Sequence, residues 1–219
     1  MSIQDNATGQ LEEAGRYLFA NGLAWGNAGN LSARTGADRY VITASGTHLG
    51  SLSAHDFAEC GLDGRVIAGE RKPSKETPMH AAVYAARPEI GAVLHASPFY
   101  STMVSCSDLV IPNDLFVEDM YYLERVARVR YAHPGSPALG EVVAEQVNAA
   151  NVLLLEHHGV LVYDVSVREA LTALHTLELV CRMVVEARQA GVALRSLPTA
   201  TVTDFLERSG YRQRRRWTS

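Results

Sequence analysis

Helical and strand-like patterns alternate along the whole of this 219-residue chain, and that alternation limits its fold more than any other feature. The best-punctuated unit is KPSKETPMHAAVYAARPEIGAVLHA, from Lys72 to Ala96. Thr77 is a capping residue type and Pro78 suits the first helical position, because its fixed φ is already helical. Pro88 disfavours helix in the residue before it, so the helix ends near Ala86. GAVLHA then reads as a buried strand. Leu11, Ala14, Leu18 and Leu23 give a helix over Leu11–Leu23, and GNAGNLSAR reads as a loop after it. RYVITAS reads as a strand, and Asp63-Gly64 in DGRVIAGE signals a hairpin. Further on come a short helix at Phe99–Cys106, a strand and turn in VARVRYAHPGS, and a helix over Pro137–Ala149. NVLLLEHHGVLVYD holds two apolar runs flanking His157-His158-Gly159. Ser166 and Glu169 form a capping box for a long helix ending at Ala190 and closed by Gly191. No repeat, low-complexity segment or linker interrupts the pattern. The expectation is one layered α/β domain over residues 1–219, with helices packed on a sheet.

Composition narrows the function. A formal net charge of −4 argues against a general nucleic-acid binder. The three cysteines, Cys60, Cys106 and Cys181, are far apart and form no C-x-x-C pair. That suits a reducing compartment and argues against a disulfide framework or a zinc ribbon. MSIQDNATGQ lacks the basic and apolar regions of a secretory signal, and no apolar run approaches the ~20 residues of a membrane span. The expected location is cytoplasmic, without a membrane partner.

Four stretches combine polar residues with loops or element ends. In GNAGNLSAR, small residues let backbone N–H groups approach an anion, and Asn30 and Ser32 add side-chain hydrogen bonds; an ordinary tight turn has the same composition. Thr43, Ser45 and Gly46 close a strand and offer further donors, with the same ordinary alternative. Glu76 stands just before a helix start, where the dipole favours its ionised form whether or not it has a chemical role. Lys75 beside it is either solvated or a partner for an anion, and His80 is a core, capping or supporting residue. His95 and the pair His157-His158 end apolar runs at the edge of the predicted sheet. Two such sites and a carboxylate suit Zn²⁺, Mn²⁺ or Fe²⁺.

Taken together, GNAGNLSAR, TASG, PSKETPMHAAVYAARPEIGAVLHA and LLLEHHGVLV resemble, in order and spacing, the class II aldolase/adducin family. L-fuculose-1-phosphate aldolase and L-ribulose-5-phosphate 4-epimerase are members. The resemblance runs from about Leu11 to Ala190. It implies a three-layer α/β/α fold with a central mixed, largely antiparallel sheet. It also implies a homotetramer with active sites between subunits, acting on a small anionic substrate. By the same resemblance Gly29, Asn30, Ser45, Gly46, Ser74 and Lys75 fall where the family holds phosphate, Lys75 taking the place of a common Ser. Glu76 matches the family's catalytic acid/base. His95 and His158 match metal ligands, with His157 then on the opposite side of its strand. Tyr211 is the counterpart of a C-terminal Tyr lent to the next subunit's site. The nearby Arg212, Arg214, Arg215 and Arg216 are either anion ligands or a solvated basic tail.

Two positions depart from the family. Its usual His-x-His becomes His95-Ala96-Ser97, and its aldehyde-side Tyr falls on Phe116, with Tyr121 and Tyr122 close by. Three arrangements remain open. Glu76, His95 and His158 form a two-His-one-carboxylate site completed by water or Ser97; or His133 or Glu118 supplies a donor; or metal binding is lost. The expected activity is a metal-dependent lyase, most simply a Zn²⁺ aldolase of sugar metabolism, cleaving a C–C bond beside a carbonyl through a stabilised enediolate. Alternatives are a decarboxylase, a non-haem iron oxygenase-type activity and a non-catalytic adducin-like assembly module.

Overall fold

The structure is a computed structural model that describes residues 3–215 and 217. Helix α1, Ile3–Ala20, leads into β1, Asn30–Arg34, and β2, Arg39–Thr43. After two short 3-10 turns come β3, Phe57–Gly61, and β4, Val66–Ala68, then α2, Thr77–Ala86, and β5, Ala92–Ala96. Two short helices follow, α3 (Phe99–Ser105) and α4 (Val117–Tyr122), then β6 (Val126–Val129) and α5 (Pro137–Ala144). The hairpin β7 (Val152–Leu155) and β8 (Gly159–Asp164) precedes α6 (Val167–Ala190) and α7 (Thr199–Arg208).

The strands form one eight-stranded sheet in the order β4-β3-β2-β1-β5-β8-β7-β6. Every neighbouring pair is antiparallel except β6 and β7. Side chains alternate between its two faces. Leu31, Leu94, Leu154 and Val162 meet Leu11 and Leu18 of α1 and Leu174 and Leu177 of α6 on one face. Ile42, Val93, Leu153 and Leu161 meet Met79 and Val83 of α2 and Leu139 and Val143 of α5 on the other. This is the expected three-layer arrangement with a mixed, largely antiparallel sheet. Among the described residues no helix is long and apolar enough to cross a membrane.

Several local expectations change. GNAGNLSAR is not all loop: Asn30–Arg34 is the strand β1, paired with both β2 and β5. Its polar residues hide the strand, because Asn30 and Ser32 are themselves buried. Thr77 lies inside α2 rather than capping it, and its hydroxyl donates to the Ser74 carbonyl at 2.6 Å. Helix α1 stops at Ala20 because Gly22 turns the chain with φ 68°. Helix α5 stops at Ala144, where the chain tightens into turns such as Gln146 N–H to Val143 O at 3.0 Å. Helices α4 and α7 have no counterpart in the sequence pattern. Only half of the Ser166–Glu169 box forms: the Glu169 N–H donates to Ser166 Oγ, but the Glu169 carboxylate binds Tyr122 and Arg212.

Leu177 is fully buried where α6 covers the sheet. Leu177→Ala is expected to cost about 2–5 kcal/mol, read as a lower urea midpoint with unchanged slope. A loss under ~1 kcal/mol contradicts α6 as the cover of this face.

Candidate metal centre

The site forms where three elements converge. Glu76 precedes the first residue of α2, so its carboxylate sits at the positive end of the helix. His95 lies on β5 between Leu94 and Ala96, which face the α6 side; its ring therefore points to the α2 side. His158 ends the three-residue turn between β7 and β8. His157 takes a left-handed φ of 57° there, so it is an exposed turn residue and not a strand neighbour facing the opposite way. Gly159 follows with φ 142°, and a Cβ at that position would lie 2.6 Å from the Ala96 carbonyl. Only glycine lets β8 approach β5 closely enough to bring His158 beside His95.

The donor atoms of Glu76, His95 and His158 lie within 4.8 Å of one another. His95 Nε2 is 3.3 Å from Glu76 Oε2, and His158 Nε2 is 3.1 Å from Oε1. His95 donates from Nδ1 to the Val160 carbonyl at 2.9 Å, which leaves Nε2 without a proton in the neutral ring. A bare nitrogen thus faces a carboxylate oxygen, and two acceptors at that distance call for positive charge between them. Glu76 Oε1 and His158 Nδ1 are also buried without a hydrogen-bond partner. The donor set fits a divalent ion: two imidazoles and one carboxylate, with one ring orientation fixed by a backbone carbonyl. Burial opposes ionisation of Glu76, but His95, His158 and the Asn30 amide outweigh it and bring its carboxyl down to about 2. Burial lowers the His95 pKa, against the pull of Glu76.

The cluster opens into a cavity of about 460 Å³. Gly29, Asn30, Ser45, Gly46, Ser74 and Lys75 line it with Glu76, His95 and His158. The structure thus gathers all nine in one place. Two of the cavity residues outside the donor set bind Glu76: the Asn30 amide donates to its Oε2 at 2.7 Å, and Ser74 Oγ accepts its N–H at 3.2 Å. Thr43 is buried in β2, where its hydroxyl accepts the Leu31 N–H, so it does not face the cavity as an anion donor. Ser97 also lines the cavity; its hydroxyl donates to the His158 carbonyl at 3.2 Å.

Other expected residues lie elsewhere. Tyr211 packs on Tyr121 and Phe205, with ring centroids 5.9 and 5.3 Å away, and does not line this cavity within the one chain. Phe116 and Glu118 line a separate groove with Tyr17, Arg168 and His175, and His133 Nδ1 lies 3.1 Å from the Tyr131 hydroxyl. The basic tail is tied down within the chain: Arg212 pairs with Glu169, Arg214 with Glu124 and Glu207, and Arg215 with Asp164. Arg216 lies outside the described residues. Trp25, Asn27, Thr47 and Pro134 also line the cavity; Asn27 lies in the GNAGNLSAR stretch, and the sequence singles out none of the four as a site residue. Trp25 is 63% exposed and is tethered by its indole N–H to the Ser97 carbonyl at 3.0 Å.

Comparison with known proteins agrees with this geometry. The family model for the Class II Aldolase and Adducin N-terminal domain matches residues 9–185. A 3-oxo-tetronate 4-phosphate decarboxylase from Haemophilus influenzae is 36% identical over 155 residues, covering 68% of this chain and 73% of its own. A relative of the same name from Cupriavidus necator is 30% identical over 211 residues, covering 94% of this chain and 96% of its own. A solved L-fuculose 1-phosphate aldolase superposes with a TM-score of 0.83 at 25% identity, over 94% of this chain and 97% of that one. The chain is an enzyme of the class II aldolase/adducin family.

Proposed function

We propose that the chain is a metal-dependent decarboxylase of a small 3-oxo acid phosphate. The observation that carries the reading is the Glu76–His95–His158 cluster in a cavity that Ser45, Gly46 and Lys75 also line. Such a cavity accepts a substrate with an oxygen-rich reacting end and an anionic far end. The names of the two decarboxylase relatives support the choice over an aldolase.

Proton inventory supports the same choice. Retro-aldol cleavage needs one group to take the proton from a hydroxyl and one to return a proton to carbon. Loss of CO₂ from a 3-oxo acid needs only the second. Of the carboxylates in the described residues, Glu76 is the one that lines this cavity, and Phe116 has no proton to exchange.

His95, His158 and Glu76 are the residues that would hold the ion, Zn²⁺ in the first instance, with Mn²⁺ or Fe²⁺ also compatible with these donors. When bound, a divalent ion supplies a Lewis acid that draws electron density from the substrate carbonyl. The chain's own residues do the rest. Lys75 and the N–H groups and hydroxyls of the Ser45–Thr47 turn anchor the phosphate, so remote binding energy orients the bond that breaks. The C–C bond to the carboxylate breaks, its electron pair moves into the enolate, and CO₂ departs. Glu76, ionised at rest, relays a solvent proton to the carbanionic carbon. The assembly we propose is a homotetramer in which Tyr211 of each chain faces a neighbour's cavity.

Purified enzyme supplied with Zn²⁺, Mn²⁺ or Fe²⁺ is expected to release CO₂ from 3-oxo-tetronate 4-phosphate and to lose that activity in chelator. Cleavage of ketose 1-phosphates into two carbonyl fragments, with no CO₂ from the oxo acid, would replace this reading with an aldolase. Lys75→Met is expected to raise KM about tenfold or more with kcat little changed, because a charge-assisted phosphate contact is worth about 1.5–3 kcal/mol. An unchanged KM removes Lys75 from the substrate contacts.

A further inference from the structure

From Glu76 a buried polar chain runs through Asn30, which also lines the cavity, to His80, Ser32 and Tyr84, which do not line it and which the proposed reaction does not use. Asn30 Nδ2 donates to Glu76 Oε2 at 2.7 Å, and Asn30 Oδ1 lies 2.6 Å from His80 Nε2. His80 Nδ1 lies 2.7 Å from Ser32 Oγ, which lies 2.9 Å from the Tyr84 hydroxyl. Asn30 is 5% exposed, Tyr84 1%, and Ser32 and His80 are fully buried. We propose that His80, backed by Ser32 and Tyr84, is a positioning residue that fixes the Glu76 carboxylate through the Asn30 amide. The inference rests on reading Glu76 as the working carboxylate of the site.

The two backbone periods make the chain possible. Glu76, His80 and Tyr84 are spaced at i, i+4 and i+8, so they form one stripe where α2 begins and continues. Asn30 and Ser32 alternate with Leu31 and Ala33 along β1, so they share the face toward α2. Four residues of helix rise ~6 Å and two residues of strand ~6.8 Å, so the two rows stay nearly in step.

Chemistry gives the chain one polarity. An ionised carboxylate only accepts, so the Asn30 amide must turn its NH₂ toward Glu76. That leaves its carbonyl toward His80, which must then carry its proton on Nε2. Nδ1 is therefore bare and accepts the Ser32 hydroxyl, and Ser32 in turn accepts from Tyr84. The opposite amide orientation would set a carbonyl against a carboxylate. Every group in the chain is satisfied in one arrangement only, and in a water-free interior a satisfied network is rigid. One Glu76 oxygen is thereby held while its carboxylate plane faces His95 and His158. A histidine with no role beyond filling the core would have no need of the Asn30 contact.

The test uses the full chain and two readouts that do not depend on turnover. Long-range ¹H–¹⁵N spectra of the metal-free protein report the imidazole tautomers. His80 is expected as the neutral Nε2–H form; an Nδ1–H form or a doubly protonated ring at neutral pH overturns the relay. Visible absorption during Co²⁺ titration reports the affinity and ligand field of the site. His80→Phe fills the volume without a donor and is expected to weaken Co²⁺ about 10–100-fold and change its spectrum. His80→Gln places an amide N–H where Nε2 stood and is expected to restore most of the affinity. A folded His80→Phe protein that binds Co²⁺ like wild type, or equal losses in both variants, overturns the proposal. If wild type itself takes up no Co²⁺, the metal-lyase reading fails, and the wild-type tautomer alone then decides the relay.

Discussion

A carboxylate held out of bulk water between two imidazoles is the interaction on which the rest of this molecule depends. Glu76 is 12% exposed, and its oxygens stand 3.3 and 3.1 Å from His95 and His158. A buried charge with no partner is costly, and the bare His95 Nε2 and the Glu76 carboxylate repel unless positive charge joins them. The α2 N-terminus and the Asn30 amide supply part of the compensation. The bare His95 Nε2 and the unpartnered Glu76 Oε1 mark where the remainder belongs. The cluster is therefore poorly suited to being a plain structural ion pair and well suited to holding a cation.

The fold exists around that cluster in a specific sense. β5 brings His95 through the middle of the sheet, where it is rigid on both sides. The β7–β8 turn hangs His158 over its edge, and Gly159 removes the one atom that would hold the strands apart. α2 lies on the same face and begins at Glu76. Much of the remaining cavity lining comes from loops after α1 and β2 and from the segment before α2.

Much of this was legible in the sequence because the signals were local. Pro78, Pro88 and the apolar run before His95 mark a helix followed by a strand, and both form. Asp63-Gly64 and Gly191 act as turn and helix stop, and both glycines have left-handed φ, 78° and 67°. The family resemblance, not periodicity, joined Glu76, His95 and His158, which lie far apart in sequence. β1 was hidden because its inward residues, Asn30 and Ser32, are polar, and their partners His80 and Tyr84 sit ~50 residues away. The one clue was the matching spacing, Asn30-x-Ser32 against Glu76-x-x-x-His80-x-x-x-Tyr84. The fate of the basic tail depended on which acids it would meet, and neither helical nor strand period reports that. Tyr211 shows the same limit, since its packing on Tyr121 and Phe205 joins residues distant in sequence.

Ser97 lines the cavity two residues after His95 without joining the donor set. Its hydroxyl closes onto the His158 carbonyl and its own carbonyl takes the Trp25 indole, so it is part of the wall and not a substitute for a ring nitrogen. The most direct test of the three-donor centre is anomalous scattering from crystals of the metal-loaded enzyme, collected across the absorption edge of the bound ion. One peak per chain is expected, within bonding distance of His95 Nε2, His158 Nε2 and a Glu76 oxygen. No peak there, or a peak held by other residues, would contradict it.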